Sequence, residues 1–273
     1  MNVSRTTLYL IPKRLYTYAI GRFARFRVSR HLIPWYVRHY SIDVGEMERT
    51  ISEYQTLLDL FTRRLSSTAR SFAGEGFLSP VDGLITASGT IHEHWQLQAK
   101  GLPYTGTELL QSETMARRFV GGKFVVLYLS PTNYHRIHMP TDGLITGWTY
   151  VPGRLYPVNR IGLLVDRLYA KNERMITYIS SDLGEYAIVK IGALGVGTVK
   201  TVFAPSQREL RVRGQGGVVM ERENVHLARG EELGHFELGS TVIVMWNREA
   251  SANLRLLVGV GDHVFVGQPI ATV

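Results

Sequence analysis

The spacing of apolar residues along this 273-residue chain changes once, from a helical to a strand-like rhythm. Near the start, Leu8, Ile11, Leu15, Ala19, Phe23 and Phe26 recur at three- and four-residue intervals, which predicts an amphipathic helix. Arg22 falls inside that arc beside Gly21, so either the stripe breaks there or the arginine turns its head outward. Ile33-Pro-Trp-Tyr-Val37 then adds aromatic surface. A second stripe, Ile51, Tyr54, Leu57, Leu58, Phe61 and Leu65, opens on the capping-box spacing of Thr50 and Glu53. It predicts a helix ending near Leu65.

From about Phe77 short β-rich runs alternate with glycine-containing turns. Strands are expected over Leu84–Ile91, Lys123–Leu129, Leu144–Val151, Arg174–Ile179, Tyr186–Phe203, Thr241–Trp246, Arg255–Val258 and Val264–Val273. Thr107–Arg118 and Leu155–Ala170 are the remaining helical candidates. PVDGLIT at Pro80 returns as PTDGLIT at Pro140, a Pro-x-Asp-Gly turn feeding an apolar strand both times. The ending, from Val260 to Ile270, is similar to the turn-rich strands of lipoyl- and biotinyl-type barrels, although no lysine sits at a carrier-type turn. The expected fold is α+β and β-rich: a compact barrel- or sandwich-like β domain with a lipoyl/biotinyl-type pseudo-repeat, plus N-terminal amphipathic helices.

Charge divides the chain. The net charge is +8, and no acidic residue precedes Asp43. Arg5, Lys13, Arg14, Arg22, Arg25, Arg27, Arg30 and Arg38 all lie before it, and the remaining 23 basic residues match the 23 acidic ones. This argues against a basic nucleic-acid face on the main domain and for an arm that meets an anionic surface. The expected division is 1–42, a basic membrane-associating segment, and 43–273, the catalytic domain. No apolar run approaches the roughly 18 residues of a spanning helix. An in-plane anchor, a helix packed on the domain and an Arg-rich presequence all fit the arm's composition. With no cysteine, disulfides and thiolate metal sites are excluded.

Two strings bear on chemistry. Leu238-Gly239-Ser240-Thr241 precedes an apolar strand, and a serine after glycine can attack the carbonyl of its own peptide bond. The amide would become an ester, elimination would leave dehydroalanine, and hydrolysis would leave a pyruvoyl group. Tyr134-His-Arg-Ile-His-Met-Pro140 supplies two candidate bases, His135 and His138. Asp82 and its twin Asp142 are equal candidates for a carboxylate that orients a histidine. Taken singly, each string also reads as an ordinary turn or packed histidine pair. His92 and His94 allow a metal reading, but no helix-borne HExxH supports it.

Taken together, PVDG at Pro80–Gly83, LSPTNYHRIHMP at Leu129–Pro140, Tyr150-Val-Pro-Gly153, Asn172-Glu173-Arg174, Gly192-Ala193 and FELGST at Phe236–Thr241 are specific in this order. The chain resembles the phosphatidylserine decarboxylase family in its bacterial and mitochondrial form, from about Thr50 to its end. The resemblance implies a proenzyme that cuts itself between Gly239 and Ser240, giving a 1–239 beta chain and a 240–273 alpha chain that stay together as a heterodimer. It places the self-cleavage triad on Asp82, His138 and Ser240, and an acid/base for decarboxylation on His135. Ser240 would become a covalent pyruvoyl cofactor that takes the amine of phosphatidylserine as a Schiff base and accepts the electrons left by carbon dioxide. The product would be phosphatidylethanolamine, made without metal or nucleic acid. The substrate is an anionic diacyl lipid, so the implied location is peripheral, on the cytoplasmic side of a cell membrane. The alternatives are an uncleaved membrane-binding protein of the same fold, a soluble pyruvoyl-dependent amino-acid decarboxylase, and a metal-dependent hydrolase.

Overall fold

A computed structural model of the protein describes residues 13–95, 104–158, 162, 165–194, 198–214, 217–237 and 240–273. Three N-terminal helices are α1 (Lys13–Arg25), α2 (Ile33–His39) and α3 (Leu57–Phe61), with a 3₁₀ turn over Arg27–Leu32 between the first two. Only part of the predicted apolar stripe lies among residues with described side chains, and that part faces outward. Thr17, Gly21 and Ala24 form the buried side of α1, while Tyr18, Ala19, Phe23 and Phe26 are exposed. Small residues at four- and three-residue spacing let the backbone pack closely, which leaves the aromatics outside. Val28, Leu32 and Trp35 extend this exposed apolar surface.

The second predicted helix is broken. Thr50 and Glu53 do form the capping box, but on a single 3₁₀ turn, Ile51–Glu53. Thr56 then caps α3 by accepting from the Asp59 amide at 3.0 Å, and the helix stops at Phe61. Its buried side joins Ile33, Tyr36, Val37, Ile42, Met47, Tyr54 and Leu60 in one cluster, so residues on both sides of position 43 share a core.

The β region comprises β1 (Phe77–Leu78), β2 (Gly83–Thr90), β3 (His94–Trp95), β4 (Tyr104–Thr105), β5 (Lys123–Tyr128), β6 (Arg136–His138), β7 (Gly143–Val151) and β8 (Arg174–Ser181). It continues with β9 (Gly184–Ile191), β10 (Val199–Thr201), β11 (Val219–Leu227), β12 (Glu232–Phe236), β13 (Thr241–Trp246), β14 (Arg255–Leu256), β15 (His263–Val264) and β16 (Pro269–Thr272). Eight strands make one antiparallel sheet in the order β11-β7-β8-β9-β13-β5-β2-β15. Two smaller sheets, β10-β12-β6 and β1-β16-β14, lie beside it. The fold is therefore α+β and β-rich as expected, but the large sheet stays open and no barrel forms. One edge, β11, carries Glu221, Arg222 and Glu223, and the other, β15, is two residues long; both devices discourage further pairing. Short helices at Gly106–Leu110, Glu113–Phe119 and Leu168–Lys171 stand where two longer ones were expected.

The repeated heptapeptide has a structural counterpart. β2 and β7 each follow their Pro-x-Asp-Gly turn, and each lies second from an opposite edge of the large sheet. Both bulge at the same point, after Ile85 and after Ile145. The segments before the turns pair with each other: Leu78 donates to the Pro140 carbonyl (3.2 Å) and His138 to that of Pro80 (2.9 Å). The two turns are thus neighbours, which brings Asp82 to the segment that carries the histidines.

Candidate active site around Ser240

Ser240 immediately precedes β13, a strand buried along its whole length between β9 and β5. Such a strand has both faces covered, which explains why its six residues, TVIVMW, are apolar or small. Ser240 is 0 % exposed, and its carbonyl accepts the Leu129 amide at 2.9 Å, where the Leu129–Pro140 segment begins. Its hydroxyl has no hydrogen-bond partner among the described residues. A buried hydroxyl left unpaired is costly, and such an atom points to a functional demand. Leu238 and Gly239, and with them the bond expected to be cut, lie outside the described residues. Glu237, just before them, is buried and held by Arg25 of α1 and by Lys200 at 3.1 Å.

The histidine segment opens in a tight turn, with Asn133 accepting from the Ser130 amide through its side chain at 2.8 Å. His135 is wholly buried, its ring tilted against Phe61 with centroids 4.1 Å apart. Its Nδ1–H donates to the Asn133 carbonyl at 2.7 Å, which leaves Nε2 a lone-pair acceptor. That Nε2 has no partner among the described residues. Burial, with a smaller contribution from the Arg63 charge, pushes His135 down to about 3, so the ring is neutral at physiological pH.

His138 lies on β6 between the aromatic rings of Tyr134 and Phe72. Nδ1–H donates to the Gly230 carbonyl at 2.7 Å, and Nε2 accepts the Tyr134 hydroxyl at 2.9 Å. Burial holds this ring below the ordinary histidine range, opposed by its bond to Gly230. Both imidazoles thus have Nδ1 fixed on a main-chain carbonyl and Nε2 as the basic nitrogen, unpartnered among the described residues in His135 and occupied by Tyr134 in His138.

The two aspartates of the repeat accept equivalent main-chain bonds. Asp82 Oδ1 accepts from Val266, two residues past β15, at 2.7 Å, and Asp142 Oδ1 from Arg229, two residues past β11, at 3.0 Å. Their environments differ. Asp82 is buried and paired with Arg70 (3.1 Å), which also binds Glu46, whereas Asp142 is exposed. Burial and the ion pair set Asp82 apart in a way the chemistry of its turn alone could not. Ser240 and the histidine segment are adjacent through the main chain, and Asp82 is adjacent to the same segment through Pro80. No described hydrogen bond joins the side chains of Asp82, His138 and Ser240 to one another. Among the described residues, no cluster of three or more His, Asp or Glu could hold a metal ion.

The chain matches the phosphatidylserine decarboxylase family over residues 57–272. It is 41 % identical to a phosphatidylserine decarboxylase proenzyme of Brevibacillus brevis, over 97 % of this chain and 96 % of that one. Proenzymes of the same name from Anaeromyxobacter (38 % identical, 97 % and 96 % covered) and Psychrobacter cryohalolentis (34 %, 98 % of each) are also similar. The chain belongs to the phosphatidylserine decarboxylase family. It is accordingly a decarboxylase.

Within this member of the phosphatidylserine decarboxylase family, three further site residues escaped the sequence reading. Tyr134 occupies the basic nitrogen of His138, Arg70 pairs with Asp82, and Arg63 lies beside His135. Tyr134 stood inside a string already singled out and was discoverable there. The two arginines carried no local signal. The Asn172-Glu173-Arg174 motif proves to tie loops together: Asn172 binds Tyr156 and Gly192, Glu173 binds Arg211, and Arg174 donates to four carbonyls. A cavity of about 800 Å³ in the helical region, walled by residues such as Arg30, His31, Arg49 and Tyr54, includes none of His135, His138 and Ser240.

Proposed function

We propose that the protein decarboxylates phosphatidylserine to phosphatidylethanolamine with a pyruvoyl group that it makes by cutting itself between Gly239 and Ser240. The supporting observation is the Ser240 hydroxyl, fully buried, unpaired and set against the segment that carries two neutral histidines. With no acceptor for its proton among the described residues, that hydroxyl is not quenched by a competing bond. His138 Nε2 takes the proton as Ser240 attacks the Gly239 carbonyl, the Tyr134 hydroxyl first giving up its place there. Nδ1 stays on the Gly230 carbonyl, which supports the positive charge the ring acquires. Asp82, held by Arg70, adds negative potential on the same side.

Once formed from Ser240, the pyruvoyl group supplies an electron sink for the carbanion left by carbon dioxide. His135 handles the proton balance. Its Nε2 accepts the proton that the substrate's ammonium must lose before the nitrogen can react, and returns it to the α-carbon after carbon dioxide departs. Phe61 packs on the His135 ring and keeps bulk water from it.

The exposed aromatics of α1 and α2, interleaved with Arg22, Arg25, Arg27, Arg30 and Arg38, support peripheral binding to an anionic membrane on its cytoplasmic side. Among the described residues no helix is long and apolar enough to cross a membrane. The cut halves would remain one heterodimer.

The intact mass of the purified protein tests this reading. Two fragments divided at Gly239–Ser240, the smaller with a pyruvoyl N-terminus, are expected, with Ser240→Ala full-length and inactive. His138→Ala and Asp82→Ala slow cleavage. His135→Ala cleaves but loses decarboxylation by about 100-fold or more. A single full-length mass in an active preparation would sink the mechanism.

A further inference from the structure

Two buried arginines invite comparison. Arg174 donates through all three of its guanidinium nitrogens, to the carbonyls of Leu109, Ala170, Asn172 and Glu108. It is a finished structural residue. Arg63 is buried to a similar degree, 4 % exposed, yet only Nη2 is engaged, with the carbonyls of Thr132 (3.2 Å) and Asn133 (3.3 Å). Its Nε and Nη1 have no partner, and no carboxylate pairs with it among the described residues. An arginine stays charged in proteins, so this is a desolvated cation with two unused donors.

Its position gives those donors a direction. The Asn133 carbonyl that receives Nη2 also receives Nδ1–H of His135. Phe61, two residues before Arg63, packs on the His135 ring. One carbonyl therefore anchors both an arginine with two unpartnered donor nitrogens and a histidine with an unpartnered acceptor nitrogen. Their unpartnered atoms complement a ligand that carries an anion beside an ammonium.

We propose, resting on the phosphatidylserine reading, that Arg63 is the positioning residue for the substrate's phosphodiester. Phosphatidylserine has two anions, and the chemistry separates them. The carboxylate loses its charge as carbon dioxide leaves, so a cation on it would hold the ground state more tightly than the transition state and slow the reaction. The phosphodiester keeps its charge throughout. A bidentate guanidinium on it fixes the serine moiety over His135 without resisting the chemistry.

The test uses full-length Arg63→Gln and Arg63→Lys, with self-cleavage followed by mass and kinetics read on mixed micelles. Arg63→Gln is expected to raise KM for phosphatidylserine by about 10- to 100-fold and to weaken inhibition by phosphatidylethanolamine, which retains the phosphate, by the same factor. Its kcat stays within about threefold, and Arg63→Lys recovers part of the loss. A raised KM with unchanged phosphatidylethanolamine inhibition would assign Arg63 to the carboxylate and overturn the proposal. Unchanged KM and inhibition in a cleaved variant would leave only a structural role. Should either variant fail to cleave, short-chain phosphatidylethanolamine is titrated onto folded Ser240→Ala precursor with and without Arg63→Gln. Equal affinity there overturns the proposal, and weaker affinity supports it. A wild-type protein that neither cleaves nor decarboxylates would instead fail the broader reading.

Discussion

Lys190 and His135 are buried bases with no carboxylate partner among the described residues, and both have their proton affinity reduced by burial. Among the described residues Lys190 reaches the Thr177 hydroxyl and, weakly, the Ile188 carbonyl, and burial pushes it down to about 7. The unfolded chain binds this proton up to the ordinary lysine range, so the folded state binds fewer protons and stability rises with pH from about 7 upward. Lys190→Met should therefore stabilise the protein at pH 7 by about 1–3 kcal/mol, with the gain shrinking toward pH 10, as read by urea melts. His135, pushed down to about 3, adds a second loss as pH falls from about 6.5. In the Ser240→Ala background, which keeps the chain whole, His135→Leu should remove on the order of 3 kcal/mol of that acid sensitivity. A melting profile equally steep in acid with and without His135 would contradict its burial. At this scale Ser240, His135 and His138 were legible, because their strings are specific in combination. Chemistry alone did not separate Asp82 from Asp142, since the two share a turn and differ only in what packs over them; the choice of Asp82 came from the family resemblance. Arg63 was illegible because its burial depends on α3 ending at Phe61, four residues before its apolar stripe runs out.

The helices show how a correct period can hide the direction of a face. The spacing of Ala19, Phe23 and Phe26 was read as an apolar side, yet in α1 the small residues Thr17, Gly21 and Ala24 face the protein. Exposed aromatics on neighbouring turns are the surface a lipid headgroup region would receive. Replacing Phe26 and Trp35 together by serine is expected to weaken binding to phosphatidylserine-containing vesicles by about 10- to 100-fold while leaving self-cleavage complete. Flotation measures the first and mass the second; undiminished flotation would count against this face as the contact. Among the inner strands Thr241–Trp246 lies at its expected limits and β2, β5 and β7 within a residue or so, whereas the run expected over Tyr186–Phe203 divides into β9, which stops at Ile191, and the separate β10. The strands over Arg136–His138, Val219–Leu227 and Glu232–Phe236 went unrecognised. Each is short or studded with charge because it lies in a small sheet or at an edge, where burial imposes no alternation.

At the scale of the molecule, the heptapeptide echo marks two strands, β2 and β7, second from opposite edges of one sheet, whereas open edges left the expected barrel unformed; closure depends on pairings that no single segment encodes. The same sheet carries the proposed cut at an unusual place. Residues 240–273 provide β13, which lies between β9 and β5, together with β15 at one edge and both partners of β1's sheet. Breaking the chain before Ser240 removes no strand from its neighbours, so the native state survives. What changes is the route back to it. The precursor finds its central strand by closing a loop within one chain, at an entropic cost that grows only slowly with loop length. The cut protein must recapture a 34-residue peptide from solution in competition with aggregation of the unfilled sheet. Recovery from denaturant should be independent of concentration for Ser240→Ala and should fall on dilution for the processed enzyme. Activation by self-cleavage would then be a step in time as well as in chemistry: the chain can be born folded once, and an active molecule that unfolds is lost.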